Sequence, residues 1–299
     1  MRALRGGVIF VCMERLESLL ALLDDPDPEV QAAVEAAFLD LGEAAIPHLE
    51  SYWFATDDAY VQERIEYLLE TITLEQVATM LYHWRQDFAQ PLWPALMAVA
   101  RLQYPSLPIE KYTAQYSRLV HKAWLTLSTS YASIDKLLNL NRYLYQQEQF
   151  APEITRPRHP SAYYLHHLLE TRRGNSFALS VLYYLIAKDL EIEGLSLVSI
   201  QGRYLLRYYD GDLHFYVDPY QRGMIIQAEE LRALLKRLSL PDNLAHYPPL
   251  SSPYVIIRLV AHLEKTYEQS GQENAAHLHK RLRERLLAQF SGGGTEEGA

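Results

Sequence analysis

Leu16, Leu19, Leu20 and Leu23 stand at i, i+3, i+4 and i+7, one face of a 3.6-residue period. The motif Asp24-Asp25-Pro26-Asp27-Pro28 breaks that rhythm and offers an N-cap for a second helix. There Val30, Ala33, Val34, Ala37, Phe38 and Leu41 continue the spacing, and Gly42 stops it. Asp57-Asp58-Ala59-Tyr60-Val61-Gln62 then echoes Asp27-Pro28-Glu29-Val30-Gln31, with Val30 and Val61, and Gln31 and Gln62, each 31 positions apart. Further on, Trp84, Trp93 and Trp124 with Tyr82, Tyr104, Tyr112, Tyr116 and Tyr131 make an aromatic stretch whose helical spacing predicts core. Prolines at 91, 94, 105 and 108 mark joints between helices.

The echo predicts two or three HEAT-like helical hairpins, units that bury their apolar faces by stacking on neighbours. An ordinary helical subdomain fits the same pattern. His83 and His121 have no second ligand at i+3 or i+4, so no metal site is expected there.

The second half changes period. Ser161 is placed to cap a helix ending at Gly174, and an Arg-Arg-Gly-Asn-Ser turn follows. Asn175 or Ser176 then serves as N-cap for an apolar helix with Leu179, Leu182, Tyr183 and Ile186 on one face. Leu195 to Tyr209 and Leu213 to Val217 read as β-rich segments joined by Asp210-Gly211, a strong hairpin signal. By period-2 alternation His214, Tyr216 and Asp218 share one face, and Arg203, Leu205 and Arg207 alternate with Gly202, Tyr204, Leu206 and Tyr208. Pairing about the turn brings Arg203 near Asp218 and leaves His214 at the hairpin end, away from Ser176. Leu231, Leu234, Leu235 and Leu238 predict another amphipathic helix ended by Pro241, and Pro248, Pro249 and Pro253 a linker. A helical hairpin broken at Gly271 follows, with Leu259, Leu263 and Tyr267 facing Leu278, Leu282 and Leu286, and with His262, His277 and His279 on its surface.

Composition bounds the class. The chain has 299 residues, 49% hydrophobic and 22% charged, which is globular rather than disordered. A net charge of −9 disfavours nonspecific attraction to nucleic acid or anionic lipid. The single cysteine, Cys12, excludes an internal disulfide framework and any Cys-rich metal site and fits a reducing compartment. No apolar run approaches the ~20 residues needed to cross a bilayer. Val8 to Met13, behind Arg2 and Arg5, is shorter than the roughly 7–15 apolar residues of a signal peptide, and Glu14 and Glu17 follow it. The expectation is an unstructured leader, with Met13 as a candidate first residue, and a cytoplasmic protein.

Four motifs, LNRYLYQQEQF, YYLHHLLETRRGNSFALSVLYYLIAKDL, GRYLLRYY and FYVDPYQRG, resemble those of the SirB-type transglutaminase-like proteins of bacteria. The resemblance covers residues 138 to 235 and, more weakly, the C-terminal helices. It implies a transglutaminase/papain-like core with a short antiparallel sheet over 136–240; with the residue patterns above, the expected fold is α+β and mainly helical, with a leader over 1–13 and a HEAT-like helical domain over 14–135. The resemblance adds a tetratricopeptide-like hairpin over 241–290, and the Gly-rich, acidic stretch 291–299 is expected to be a disordered tail. Ser176 stands where relatives carry the nucleophilic cysteine, Arg203 where they carry the histidine of a Gly-His-aromatic motif, and Asp218 where they carry the orienting acid. Gly174, Gly202, Pro219, Tyr220 and Gly223 keep the scaffold pattern.

Arginine does not deprotonate in proteins, so Arg203 cannot be the base that a nucleophile needs. The reading is therefore a non-catalytic transglutaminase-like module, structural or binding, with an Arg203–Asp218 ion pair and no cofactor. One alternative is a Ser176-dependent hydrolase or acyltransferase with a base from elsewhere. The other is a site for a small anion or peptide end at the Ser176 helix terminus, with Arg172, Arg173 and Arg203 nearby. Its binding residues would be Arg173, Asn175, Gly202, Tyr216 and Tyr220. Expected partners are a protein or a small anionic ligand, with neither nucleic acid nor membrane.

Overall fold

A computed structural model describes residues 16–86, 91–127 and 132–291, which divide into two units between His83 and Trp84. The leader, Cys12, Tyr131 and the tail beyond 291 lie outside the described residues.

In the first unit, residues 16–20 are helical, followed by α1 (Pro28–Leu41), α2 (Ile46–Ala55) and α3 (Ala59–Gln86), which runs through the division. Leu16, Leu23, Val34 and Phe38, as their spacing predicts, form its core together with Leu49, Ile65 and Leu68. The sequence echo has a geometric counterpart. Asp27 caps α1 by accepting from Glu29 N–H, and Asp58 accepts from Tyr60 N–H at the start of α3, both at 2.9 Å. Gln31 then donates back to Asp25 O at 3.1 Å and Gln62 to Thr56 O at 2.9 Å. Gly42, at φ 57°, ends α1 as expected.

The second unit opens with α4 (Leu92–Gln103), α5 (Ile109–Leu127) and α6 (Ser133–Arg142), the last prolonged by one π-helical turn, Tyr143–Gln147. β1 (Ala151–Pro152) pairs in parallel with β2 (Arg173–Gly174), and α7 (Leu165–Thr171) lies between them in sequence. Next comes α8 (Ser176–Asp189), buried at ten of its fourteen positions, as a helix apolar all round must be. A four-stranded antiparallel sheet follows in the order β3 (Leu195–Ile200), β4 (Arg203–Tyr209), β5 (His214–Asp218), β6 (Met224–Gln227). Its two faces are distinct. Tyr204 sets its ring edge-on to Phe177 of α8, at 5.0 Å. Val198, Leu205 and Tyr216 pack instead on Leu231 and Leu235 of α9 (Ala228–Arg237). The hairpin of α10 (Ser252–Gln269) and α11 (Glu273–Ser291) closes the chain, and Leu259, Leu263, Tyr267, Leu278, Leu282 and Leu286 are buried as predicted. The α+β class and the small antiparallel sheet are those expected.

Several expectations need correction. The segment 195–209 is two strands, because Gln201 and Gly202 both take positive φ and make a two-residue turn. β6 follows a turn closed by Gly223 N–H to Asp218 O at 2.9 Å, and the alternation did not predict it. Ser161 caps no long helix: a 3₁₀ turn at Pro160–Tyr163 is capped by His159, and α7 ends at Thr171 where Arg172 turns left-handed. Trp93, Tyr112 and Tyr116 are core, but Trp124, Tyr82 and Tyr104 are exposed. His277 lies at the surface, whereas His279 is fully buried, its Nδ1 hydrogen-bonded to Ala275 O at 2.7 Å.

Candidate functional site

The site is built where α8 meets β4. Asn175 is the N-cap of α8, its Oδ1 accepting from Ala178 N–H at 2.9 Å, so Ser176 is the first helical residue. The ladder between β4 and β5 stops at Leu206–Val217, which leaves the backbone of Tyr204 without a strand partner on that side. Two serines of α8 take over. Ser176 Oγ accepts from Tyr204 N–H at 2.9 Å and also approaches Tyr204 O at 3.3 Å; Ser180 Oγ donates to the same carbonyl at 2.8 Å. A buried backbone N–H or C=O left unpaired is costly. Ser176 thus completes the sheet. Among the described residues no titratable side chain hydrogen-bonds its hydroxyl.

One residue earlier, Arg203 forms an ion pair with Asp218. Asp218 is fully buried, and its other carboxylate oxygen accepts from the N–H groups of Tyr220 and Gln221 at 3.0 and 3.3 Å, capping the 3₁₀ turn Pro219–Gln221. Each carboxylate oxygen therefore has a partner, and Arg203 keeps its guanidinium partly in solvent. This is the pair the alternation predicted. It is a fixed, charge-assisted contact, with no proton to exchange on the arginine side.

The cations proposed around the helix terminus are engaged. Arg172 donates to Leu169 O at 2.8 Å and to Glu148 at 3.0 Å and lies over the Phe150 ring, and Arg173 donates to Gln149 O at 3.1 Å. Gly202 is exposed in its turn, Tyr220 is half-buried, and Tyr216 is buried on the face that packs on α9. The structure therefore brings Asn175, Ser176 and the Arg203–Asp218 pair to one corner of the sheet and leaves Tyr216 elsewhere. A cleft of about 400 Å³ lies beside Arg173, lined also by Ala151, Pro152, Ile154 and Arg222.

Sequence order did not point to His262. Carried by α10, it sits 5.3 Å from the Tyr163 ring and 6.1 Å from that of Phe177, and its Nε2 hydrogen-bonds the Tyr204 hydroxyl at 2.7 Å. Burial, and then Arg258 and Lys265, push it down to about 4, so it is neutral at pH 7. Its helical spacing resembles that of any surface residue, and only the docking of the hairpin reveals its place.

Residues 110–261, about half of the chain, match the transglutaminase-like superfamily. The chain belongs to that superfamily. The matched residues run from α5 into α10, beyond the four motifs in both directions. Two curated UPF0162 proteins, from Xylella fastidiosa strain 9a5c and strain Temecula1 / ATCC 700964, are similar to it. Each is 27% identical over 198 residues, covering 64% of this chain and 69% of its own length. No solved structure matches the chain.

Proposed function

We propose that this transglutaminase-like domain is non-catalytic and serves as a structural or ligand-binding module. The observation that carries the reading is the occupation of Ser176: its hydroxyl is the hydrogen-bond partner of the Tyr204 backbone at 2.9 Å. A nucleophile must instead offer its proton to a base. The place for that base holds Arg203, tied to Asp218. The finer reading is a SirB-type protein of the cytoplasm in which HEAT-like helices precede the core and a tetratricopeptide-like hairpin follows it.

The test is intact-mass analysis after incubation with acyl-donor and serine-directed phosphonylating probes, with Ser176→Ala as control. No adduct is expected. An adduct that disappears in Ser176→Ala would make Ser176 a working nucleophile and would favour the hydrolase or acyltransferase reading. In a Cys12→Ala background, the pair Ser176→Cys and Arg203→His should gain alkylation at residue 176.

A further inference from the structure

β4 carries two arginines, Arg203 and Arg207, with Leu205, which packs on α9, between them. Arg203 has Asp218. Arg207 stands opposite Tyr216 of β5 instead, and no carboxylate among the described residues bonds its guanidinium. Its Nε is buried without a hydrogen-bond partner, and so are the hydroxyl of Tyr216 and Nε2 of His214. Tyr216 is only 1% exposed, and the His214 ring lies 5.5 Å from its ring. Three polar atoms from three neighbouring side chains are therefore desolvated together on one face.

Such groups are rarely left unpaired, because burying a donor without an acceptor sacrifices its hydration. Burial, and then Arg207 and Arg232, the latter from α9, disfavour protonation of His214. Glu229 acts in the opposite sense, but its carboxylate is already taken by Arg232. A guanidinium N–H, a phenol O–H and an imidazole in its Nε2–H tautomer form a donor set for a tetrahedral oxyanion.

We propose that Arg207, Tyr216 and His214 bind a phosphate group, either as free phosphate or as a small phosphate monoester. The site lies on the sheet face opposite α8 and Ser176, so it stands whether or not Ser176 is catalytic.

Isothermal titration of the full chain at constant ionic strength, with inorganic phosphate, glycerol phosphate and acetate, tests this. Saturable binding of one phosphate or one glycerol phosphate per chain is expected, and the tighter of the two identifies the source. Tyr216→Phe, which removes one oxygen from a buried ring, should weaken binding about tenfold, as should Arg207→Gln. Lys280→Gln, at an exposed position of α11, should leave it unchanged. The proposal is overturned by no saturable binding, by acetate binding as tightly as phosphate, or by affinity unaltered in Tyr216→Phe.

Discussion

Replacing Arg203 by alanine strands the buried Asp218 charge with only its two backbone donors. Part of the guanidinium faces water, so the loss should be about 1–3 kcal/mol rather than the larger cost of a fully enclosed pair. Urea midpoints at pH 7 would measure it, and an unchanged midpoint would show the pair to be ornamental. Gly223 presents the opposite case, a residue needed for what it lacks. It sits at φ 76°, and a Cβ there would fall on the Asn141 side chain and 2.8 Å from Tyr145 Cε2. Gly223→Ala should therefore cost about 2 kcal/mol or more, from left-handed backbone and overpacking together. The Arg203–Asp218 pair was legible because strand alternation and one Asp-Gly turn fix it. The role of Ser176 was not, because its partner is a backbone amide 28 residues away, and a backbone amide leaves no trace in a sequence.

At the level of elements, buried histidines make the hairpin's docking acid-sensitive. Tyr164 of the core hydrogen-bonds Tyr267 of α10 at 3.1 Å and meets His279 of α11 at 3.4 Å. Burial pushes both His279 and His166 down to about 4. In the unfolded chain they titrate near 6.5, so as pH falls the unfolded state takes up protons first. Stability is intact above about pH 6.5 and drains toward pH 4. Urea unfolding at pH 7 and pH 5 should show a lower midpoint at pH 5, and His279→Gln should reduce that difference. If His279→Gln keeps the full wild-type difference, the effect lies elsewhere. The hairpin itself was readable from leucine spacing at 259, 263, 278, 282 and 286. The inward histidine was not, because a helical wheel assigns polar residues to solvent until a neighbour with a hydroxyl is known.

Across the whole molecule, the family match ends at residue 261, inside α10, yet the bonds just described continue past it. Tyr204 loses its partner His262, and Tyr164 loses Tyr267 and His279, in any chain ending at Leu250. Val260, Leu263 and Leu282, all buried, would go with them. Such a truncated chain should lose cooperative unfolding of its second unit, measured as a broadened thermal transition with raised dye binding. A sharp transition at the full-length midpoint would make the hairpin an independent appendage. Fold class was legible because helical and strand periods separate cleanly along this chain. The extent of the family match was not, because α5 and α10 look locally like any amphipathic helix.

The serine bridge to Tyr204 also bears on the order in which this site could change. A thiol is a weak donor and a weak acceptor. Ser176→Cys made alone would leave a strand amide poorly served before any nucleophile had a base beside it. Arg203→His made alone would exchange an ion pair for an imidazole that has nothing to activate. Each step toward a reactive site is thus disadvantageous by itself, and only the pair offers a return. The corner behaves as a ratchet: its two side chains lock each other's history as firmly as they lock the sheet.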